Sequence, residues 1–174
     1  MDIDVESHLA AVQRAVSSLK RDGQSAHAVT LARSYGTTVD DLWDAVTNGE
    51  RIARWFLPIS GDLKLGGRYR LEGNAGGVIT ACAQPSHFAL TWEFGGDVGW
   101  ELGLMGLSVH LTQPNESKLD EAAFAASTDG KTFMAGSSEG WGQDSIAVGT
   151  DDDAARATAR RTTAFYTVES AEPV

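Results

Sequence analysis

The stretch TWEFGGDVGWELGLMGLSVHL, residues 91–111, places an aromatic strand pattern, a glycine pair and an apolar helix pattern in immediate succession. Trp92 and Phe94 alternate with polar residues, as in a strand with one buried face. Trp100, Leu104 and Leu107 then recur at spacings of four and three, which predicts a helix over residues 100–111. The helix contains Gly103 and Gly106, which favour close packing against another element. The stretch therefore predicts a helix packed on a sheet.

The sequence before this stretch predicts the rest of that sheet. In GDLKLGGRYRLEG, residues 61–73, Tyr69 and Leu71 alternate with two arginines, and a glycine pair permits a bend. The segment GGVITACAQPSHFALTWEFGG, residues 76–96, predicts two strands joined at AQPS. One face of the second strand is strongly aromatic and apolar; it carries Phe88, Leu90, Trp92 and Phe94.

A further strand and two short helices precede these strands. SAHAVTLARSYGT, residues 25–37, alternates as a half-buried strand should. In TTVDDLWDAVTNGERIARWFLP, residues 37–58, Thr38 is a suitable N-cap, and Asn48-Gly49 should end the first helix. Trp43 belongs to an apolar patch on the first helix. Trp55 and Phe56 belong to an apolar patch on a second helix, which Pro58 should terminate.

The terminal segments predict additional helices. Apolar residues recur at helical spacing from Val5 to Leu19, so we expect residues 1–24 to form an amphipathic helical arm. Near the other end, N-cap signals occur at Ser137 or Ser138 and again at Thr150. No repeat or low-complexity linker interrupts residues 25–174, which we therefore treat as one domain with a helical C-terminal extension.

Composition excludes several classes of function. The 174 residues carry a formal net charge of −10, which argues against binding to nucleic acid phosphates. The single cysteine, Cys82, permits no intramolecular disulfide and no cysteine-based zinc site, so a cytoplasmic location is the simplest expectation. The N-terminus lacks the pattern of a secretory signal, and no apolar run is long enough to span a membrane.

No catalytic or cofactor-binding motif stands out. The sequence contains no serine nucleophile elbow, no HExxH and no CxxC, and GNAGG is too short to cradle a phosphate. His87 and His110 are isolated along the chain, so structural roles are favoured over catalysis or metal binding. We therefore predict no catalytic residues, no metal and no cofactor, and the sequence favours a binding protein over an enzyme.

Four ordered strings, TTVDDLWDAVTNGERIARWF, LKLGGRYRLEG, LTWEFGG and GWELGLMGL, resemble bacterial relatives of the heat-shock-protein-90 ATPase activator homologues. These proteins belong to the START-like (SRPBCC, helix-grip) superfamily, and the resemblance covers about residues 25–165. It implies an α+β fold in which a curved antiparallel sheet grips a long C-terminal helix around an apolar cavity. The family also includes proteins of the stress response.

The resemblance also implies which residues line the cavity. The gripped helix would be residues 100–111, the sheet would supply its inner face, and the two short helices would close one end. The expected ligand-binding residues are Trp43, Trp55, Phe56, Tyr69, Leu71, Phe88, Leu90, Trp92, Phe94, Trp100, Leu104 and Leu107. Aromatic residues are equally good core residues, so the sequence alone leaves open whether the cavity is open or filled.

The chain departs from the family pattern between Asp97 and Gly99, where relatives have further strands before the long helix. Without these strands, residues 25–37 and 88–95 would each present an unpaired edge, which proteins normally cover. Three explanations are open: a rearranged sheet, strands supplied by a partner chain, or a segment missing from this sequence. The sequence favours the third.

Three functions are compatible with this reading. The preferred one is non-enzymatic binding of a small hydrophobic or amphipathic molecule between the sheet and the long helix. A co-chaperone-like interaction module, with a protein partner or a homodimer, is the second. A cyclase or hydrolase-like enzyme that uses the same cavity is the third, since a fold by itself does not determine function.

Overall fold

The computed structural model describes residues 3–21, 23–93 and 99–167, with the backbone alone at residues 21, 25 and 26. These residues form two compact units. One unit contains residues 35–119, and the other combines the chain before residue 35 with the chain from residue 120 onward. The boundary predicted at residues 24 and 25 does not coincide with the boundary between these units, so the single domain over 25–174 stays a prediction.

The unit of residues 35–119 begins with helices α2 (Val39–Thr47) and α3 (Gly49–Ile52). The Thr38 hydroxyl accepts a hydrogen bond from the Asp41 amide at 3.2 Å, which confirms the predicted N-cap. The side chain of Asn48 accepts a hydrogen bond from the Glu50 amide at 3.0 Å, so the residue that ends α2 also begins α3. Helix α3 ends well before Pro58; beyond it the amides of Arg54 and Trp55 bond three residues back, which tightens the chain.

A four-stranded antiparallel sheet follows, in the order β3 (Ile59–Gly61), β4 (Arg68–Leu71), β5 (Gly76–Ala83) and β6 (His87–Leu90). The predicted alternation in β4 is confirmed, because Tyr69 and Leu71 are buried and Arg68 and Arg70 are exposed. The strand pattern expected across residues 61–73 is wrong between Gly61, which ends β3, and Arg68, which begins β4. The amides of Lys64 and Gly67 bond to the Asp62 and Lys64 carbonyls at 2.8 Å, so this segment turns instead of extending.

The aromatic strand is shorter than expected. Strand β6 ends at Leu90, and beyond it only one isolated bridge, between Gly76 and Glu93, continues the pairing in the described part of this segment. Phe94 lies outside the described residues. Trp92 therefore follows the strand rather than belonging to it, and its ring packs 4.7 Å from the ring of Trp100.

Helix α4 (Trp100–Thr112) has the predicted bounds to within one residue. Met105, Leu107 and Val109 are buried, whereas Trp100 is 50% exposed because it lies in the first turn, at the edge of the unit. One glycine in α4 sits where no side chain fits. A Cβ at Gly106 would lie 2.7 Å from the backbone oxygen of Trp55, which is closer than real Cβ contacts.

The other unit begins with helix α1 (Val5–Ala10) and a hairpin of β1 (Gln13–Arg21) and β2 (Gln24–Ala32). The predicted helix over residues 5–19 is therefore wrong beyond Ala10. The hairpin pairs in register from Gln13 with Ala32 to Arg21 with Gln24. The cross-strand hydrogen bonds satisfy the backbone groups, whereas a short isolated helix is only marginally stable. The sequence Asp22-Gly23 is a strong hairpin signal that the helical interpretation overlooked.

The same unit ends with helices α5 (Glu121–Ala126), α6 (Thr128–Ala147) and α7 (Asp152–Thr167). The predicted N-cap at Ser137 or Ser138 is wrong, since both residues are buried within α6 and Ser127 is its cap. At the start of α7, the carboxylate of Asp151 accepts a hydrogen bond from the Ala154 amide at 3.0 Å, so the cap lies one residue after the predicted Thr150. Additional N- and C-terminal helices are therefore present, as predicted.

The strand predicted over residues 25–37 is β2, which pairs with β1 in a two-stranded sheet of its own. The pairing with β1 covers one edge of this strand, and the three explanations for the short junction remain predictions. Among the described helices, none is both long and apolar enough to cross a bilayer.

We predict that Gly106→Ala destabilises the protein by roughly 1–3 kcal/mol, because the new methyl group would meet the Trp55 carbonyl oxygen. Gly103→Ala is the matched control in the same helix. A Cβ there would lie 3.7 Å from the Phe56 ring, an ordinary contact, and alanine favours helix by about 1 kcal/mol. Urea denaturation followed by circular dichroism measures both. Equal effects of the two substitutions would contradict the close approach.

Candidate functional site

An apolar pocket lies within the unit of residues 35–119, between the four-stranded sheet and helices α2 and α3. It is a cavity of about 90 Å³ that is open to solvent on one side. The sheet, both helices and the turn after β3 contribute its walls: Val46, Thr47, Ile52, Ile59, Leu63, Lys64, Tyr69, Ile79, Cys82, Phe88 and Leu90. Concave sites with mostly apolar walls are typical of small-molecule binding, and a cavity of this volume encloses only part of a drug-sized ligand.

The irregular pairing of β5 with β6 decides which residues of the sheet face the pocket. Ile79 is opposite Leu90 and Cys82 is opposite Phe88, but the register shifts between Ile79 and Ala81. In a regular strand, residues three apart point to opposite faces. The bulge removes this alternation, so that Ile79 and Cys82 both line the pocket. Cys82 is exposed, which places it where solvent can reach it.

Phe88 forms the outer wall of the pocket. Its side chain is 38% exposed, and its ring meets the ring of Trp43 edge-on, with 6.0 Å between the centroids. Trp43 is itself buried on α2, so the pair joins the edge strand of the sheet to the helix opposite. Edge-to-face aromatic pairs contribute about 0.5–1.5 kcal/mol beyond their buried area.

Three of the twelve expected ligand-binding residues line this pocket, namely Tyr69, Phe88 and Leu90. Leu71 and Leu107 are core residues, and Trp55, Phe56 and Leu104 are half-buried around α4. Trp92 and Trp100 form an aromatic pair, and Trp43 contacts the pocket only through Phe88. The described pocket is thus bounded by the short helices rather than by the long helix α4.

The sequence interpretation did not include eight lining residues. Val46 and Ile52 belong to the apolar patches of α2 and α3, so their helical spacing could have identified them. Ile79 and Cys82 could not be found by alternation, because the bulge breaks it. Leu63 and Lys64 are brought to the pocket by a turn for which the sequence predicted a strand. The two others are Thr47 and Ile59.

Behind the helical wall, a polar cluster of Asp41, Asp44, Arg51 and His110 ties α2, α3 and α4 together. The Arg51 guanidinium donates hydrogen bonds to the carboxylates of Asp41 at 2.8 Å and Asp44 at 3.0 Å. Its Nε lies 3.4 Å from Nε2 of the buried His110. The ring nitrogen accepts in this arrangement, which requires a neutral imidazole.

The electrostatics of this cluster follow from its contacts. Burial lowers the pKa of His110 below its ordinary 6.5, and the nearby charges of Arg51 and Arg54 lower it further, while Asp41 acts weakly in the other direction. A hydrogen bond from Thr37 lowers the pKa of Asp41, and the guanidinium of Arg51 lowers it as well. The same guanidinium lowers the pKa of Asp44. These residues stabilise the helical wall and lie outside the pocket.

Within the described ranges, no group of three or more histidine, cysteine, aspartate or glutamate residues is placed to hold a metal ion. The hydroxyl groups of the pocket are already used. Tyr69 donates to the Thr91 carbonyl at 2.8 Å, and Thr47 donates to the Trp43 carbonyl at 2.7 Å. The described lining therefore suits an apolar ligand better than it suits proton transfer.

Comparison with known proteins agrees with this architecture. The family model described as "Activator of Hsp90 ATPase homolog 1-like protein" matches residues 36–145. Among curated proteins, no sequence matches the chain significantly.

Two solved structures of one protein, CalU16 from Micromonospora echinospora, resemble the fold. The crystal structure has 25% identity and a TM-score of 0.52, and the match covers 60% of this chain and 88% of that chain. The solution NMR structure has 19% identity and a TM-score of 0.57, with 90% and 93% covered. Together with the family model, these structures confirm the predicted α+β helix-grip class.

We predict that His110 makes the protein less stable in mild acid. Because the folded pKa of His110 is lower than the unfolded value of 6.5, the unfolded chain binds more protons as the pH falls through that value. Stability is therefore complete above about pH 6.5 and decreases towards the lower, folded pKa. The depressed pKa values of Asp41 and Asp44 act at lower pH, below their ordinary 3.8.

Urea midpoints at pH 7.5 and pH 5 measure this effect, and His110→Gln should reduce the difference between them. His87→Gln, at an exposed position, is the control and should leave the difference unchanged. Part of the difference should remain in both variants, since burial and Arg33 also lower the pKa of His8 in the other unit. A His110→Gln variant with the full difference would contradict the role of His110.

Proposed function

We propose that this protein, which belongs to the activator of Hsp90 ATPase homolog 1-like family, binds a small apolar or amphipathic molecule in the pocket between its sheet and helices α2 and α3. The observation that carries the proposal is the pocket itself. Its walls are mostly aliphatic and aromatic, and its cavity of about 90 Å³, which opens to solvent, can enclose the apolar part of a small molecule. Apolar contact supplies the affinity, at about 25 cal/mol per Å² of buried surface.

The walls of the pocket are held in place by contacts that lie outside it. Its helical side is fixed by the Arg51 cluster, and the indole N–H of Trp55 donates to the Ala45 carbonyl at 2.9 Å, which ties the chain after α3 to α2. The aromatic pair of Trp43 and Phe88 braces the open side. A site whose walls are held by contacts outside it needs little reordering on binding, which favours affinity.

The family description supports a second candidate, a co-chaperone-like interaction module. Trp100 is half-exposed at the start of α4 and packs against the tilted ring of Trp92, so an apolar aromatic surface is available to a protein partner. The pocket favours ligand binding over the interaction module, because a flat protein–protein interface does not require a concave apolar site. An enzyme is the least supported, since the described lining brings no acid and base together.

We predict that the uncharged fluorophore N-phenyl-1-naphthylamine binds to the pocket with enhanced fluorescence. Phe88→Ala should weaken its binding about fivefold, since roughly 1 kcal/mol of apolar contact is lost. Phe165→Ala is the matched control: this ring is 77% exposed on α7 and belongs to the other unit.

Cys82 reports whether the probe occupies this pocket, because it is the only cysteine of the chain and lines the site. Bound probe should slow alkylation of Cys82 by iodoacetamide in proportion to occupancy. Probe binding without protection of Cys82, or equal loss in both phenylalanine variants, would place the probe elsewhere and contradict the proposed site. A native mass spectrum of the purified protein then tests for a ligand retained from the cell.

A further inference from the structure

The pocket has polar groups at four positions, and they differ in what they can offer a ligand. The hydroxyls of Thr47 and Tyr69 each have a single hydrogen, and both donate it to backbone carbonyls. The Cys82 thiol is at most a weak donor. Lys64 is the one remaining lining residue with strong donors, and it carries the only formal charge among the lining residues.

The backbone of Lys64 is held in place by the turn after β3. Its amide donates to the Asp62 carbonyl, and its carbonyl accepts from the Gly67 amide, both at 2.8 Å. The Lys64 side chain thus starts from a fixed point beside Leu63 at the wall of the pocket. A lysine in this position can lay its apolar stem along the wall and keep its ammonium group in water.

The ammonium group of Lys64 is available to a ligand. It forms an ion pair with the Asp62 carboxylate at 2.9 Å, but the two side chains are 74% and 57% exposed. Exposed pairs of this kind contribute at most about 1 kcal/mol, and an ammonium group has three donors. A ligand anion can therefore add to the pair or displace Asp62 without leaving a buried charge unpaired.

We propose that the pocket takes an amphipathic anion, a molecule with one apolar ring system or short chain and a single carboxylate or sulfonate group that binds to Lys64. The inference rests on the proposed function and names the class of its ligand. The apolar body would lie against Ile79, Phe88 and Leu90, where the walls provide no hydrogen bond, and the anionic group would remain at the solvent-exposed mouth. The chain carries a net charge of −10, so a local cation is what makes an anionic ligand acceptable here.

A pair of fluorophores tests the charge separately from the apolar body. The anionic 8-anilinonaphthalene-1-sulfonate and the uncharged N-phenyl-1-naphthylamine share the same ring framework and differ by the sulfonate. Lys64→Gln should weaken the sulfonate probe about two- to fivefold at low salt and leave the uncharged probe unchanged. Raising the ionic strength should reduce the difference between wild type and Lys64→Gln.

Arg70→Gln is the matched control, because it removes one positive charge from the exposed side of β4 while Tyr69 faces the pocket. It should weaken the sulfonate probe less than Lys64→Gln does and leave the uncharged probe unchanged. Equal weakening of the sulfonate probe in both variants would show a general field effect and overturn the inference. An unchanged sulfonate affinity in Lys64→Gln would overturn it as well.

Protection of Cys82 from alkylation separates failure of this inference from failure of the proposed function. If the uncharged probe protects Cys82 and Lys64→Gln leaves the affinity for the sulfonate probe unchanged, the pocket binds ligands but the proposed anionic class is wrong. If neither probe protects Cys82 in the wild type, both the pocket and the inference fail. Protection by both probes, with loss of sulfonate affinity only in Lys64→Gln, supports both.

Discussion

The close approach of helix α4 to the backbone after α3 is the constraint on which the unit of residues 35–119 depends. Gly106 permits this approach, because its position faces the Trp55 carbonyl oxygen without a side chain between. The Trp55 indole in turn donates to the Ala45 carbonyl, and Arg51 joins the carboxylates of α2 to His110 of α4. These contacts fix α2, α3 and α4 relative to one another. Helices α2 and α3 form the helical wall of the pocket, so the shape of that wall depends on contacts that lie outside the pocket.

The opposite wall depends on an irregularity in the sheet. A regular β5 would turn either Ile79 or Cys82 away from the helices, whereas the bulge turns both towards them. Because β6 is a short edge strand, Phe88 is braced from the helical side by Trp43 and not by a further strand. On its open side, the pocket is bordered by the aromatic contact between Trp43 and Phe88. This explains why the site is accessible to solvent.

The parts of the fold that the sequence predicted are those in which local physics agrees with the tertiary structure. The Thr38 cap, the alternation of Tyr69 with Leu71, and helix α4 each follow from a local signal that the packing leaves unchanged. The errors arose where two periods were both plausible. Residues 5–19 fit helical spacing, but β1 pairs with β2 along its whole length. The cavity that the resemblance implies against α4 stays a prediction, and only three-dimensional packing could show that Val46, Ile52 and the turn after β3 enclose the described pocket.

Arg51 and Lys64 illustrate why the use of a charged residue is decided by what its donors already contact. Arg51 is half-buried and donates to two carboxylates, so its charge is neutralised within the fold and joins the three helices. Lys64 is mostly exposed, has one weak ion pair, and stands at the mouth of an apolar site whose hydroxyls are already engaged. The sequence gives no means of distinguishing these two cations, since each has an aspartate nearby along the chain. The difference lies in the number of partners and in exposure, because the Arg51 guanidinium already bonds two carboxylates, whereas the more exposed Lys64 ammonium has one exposed partner that it can exchange.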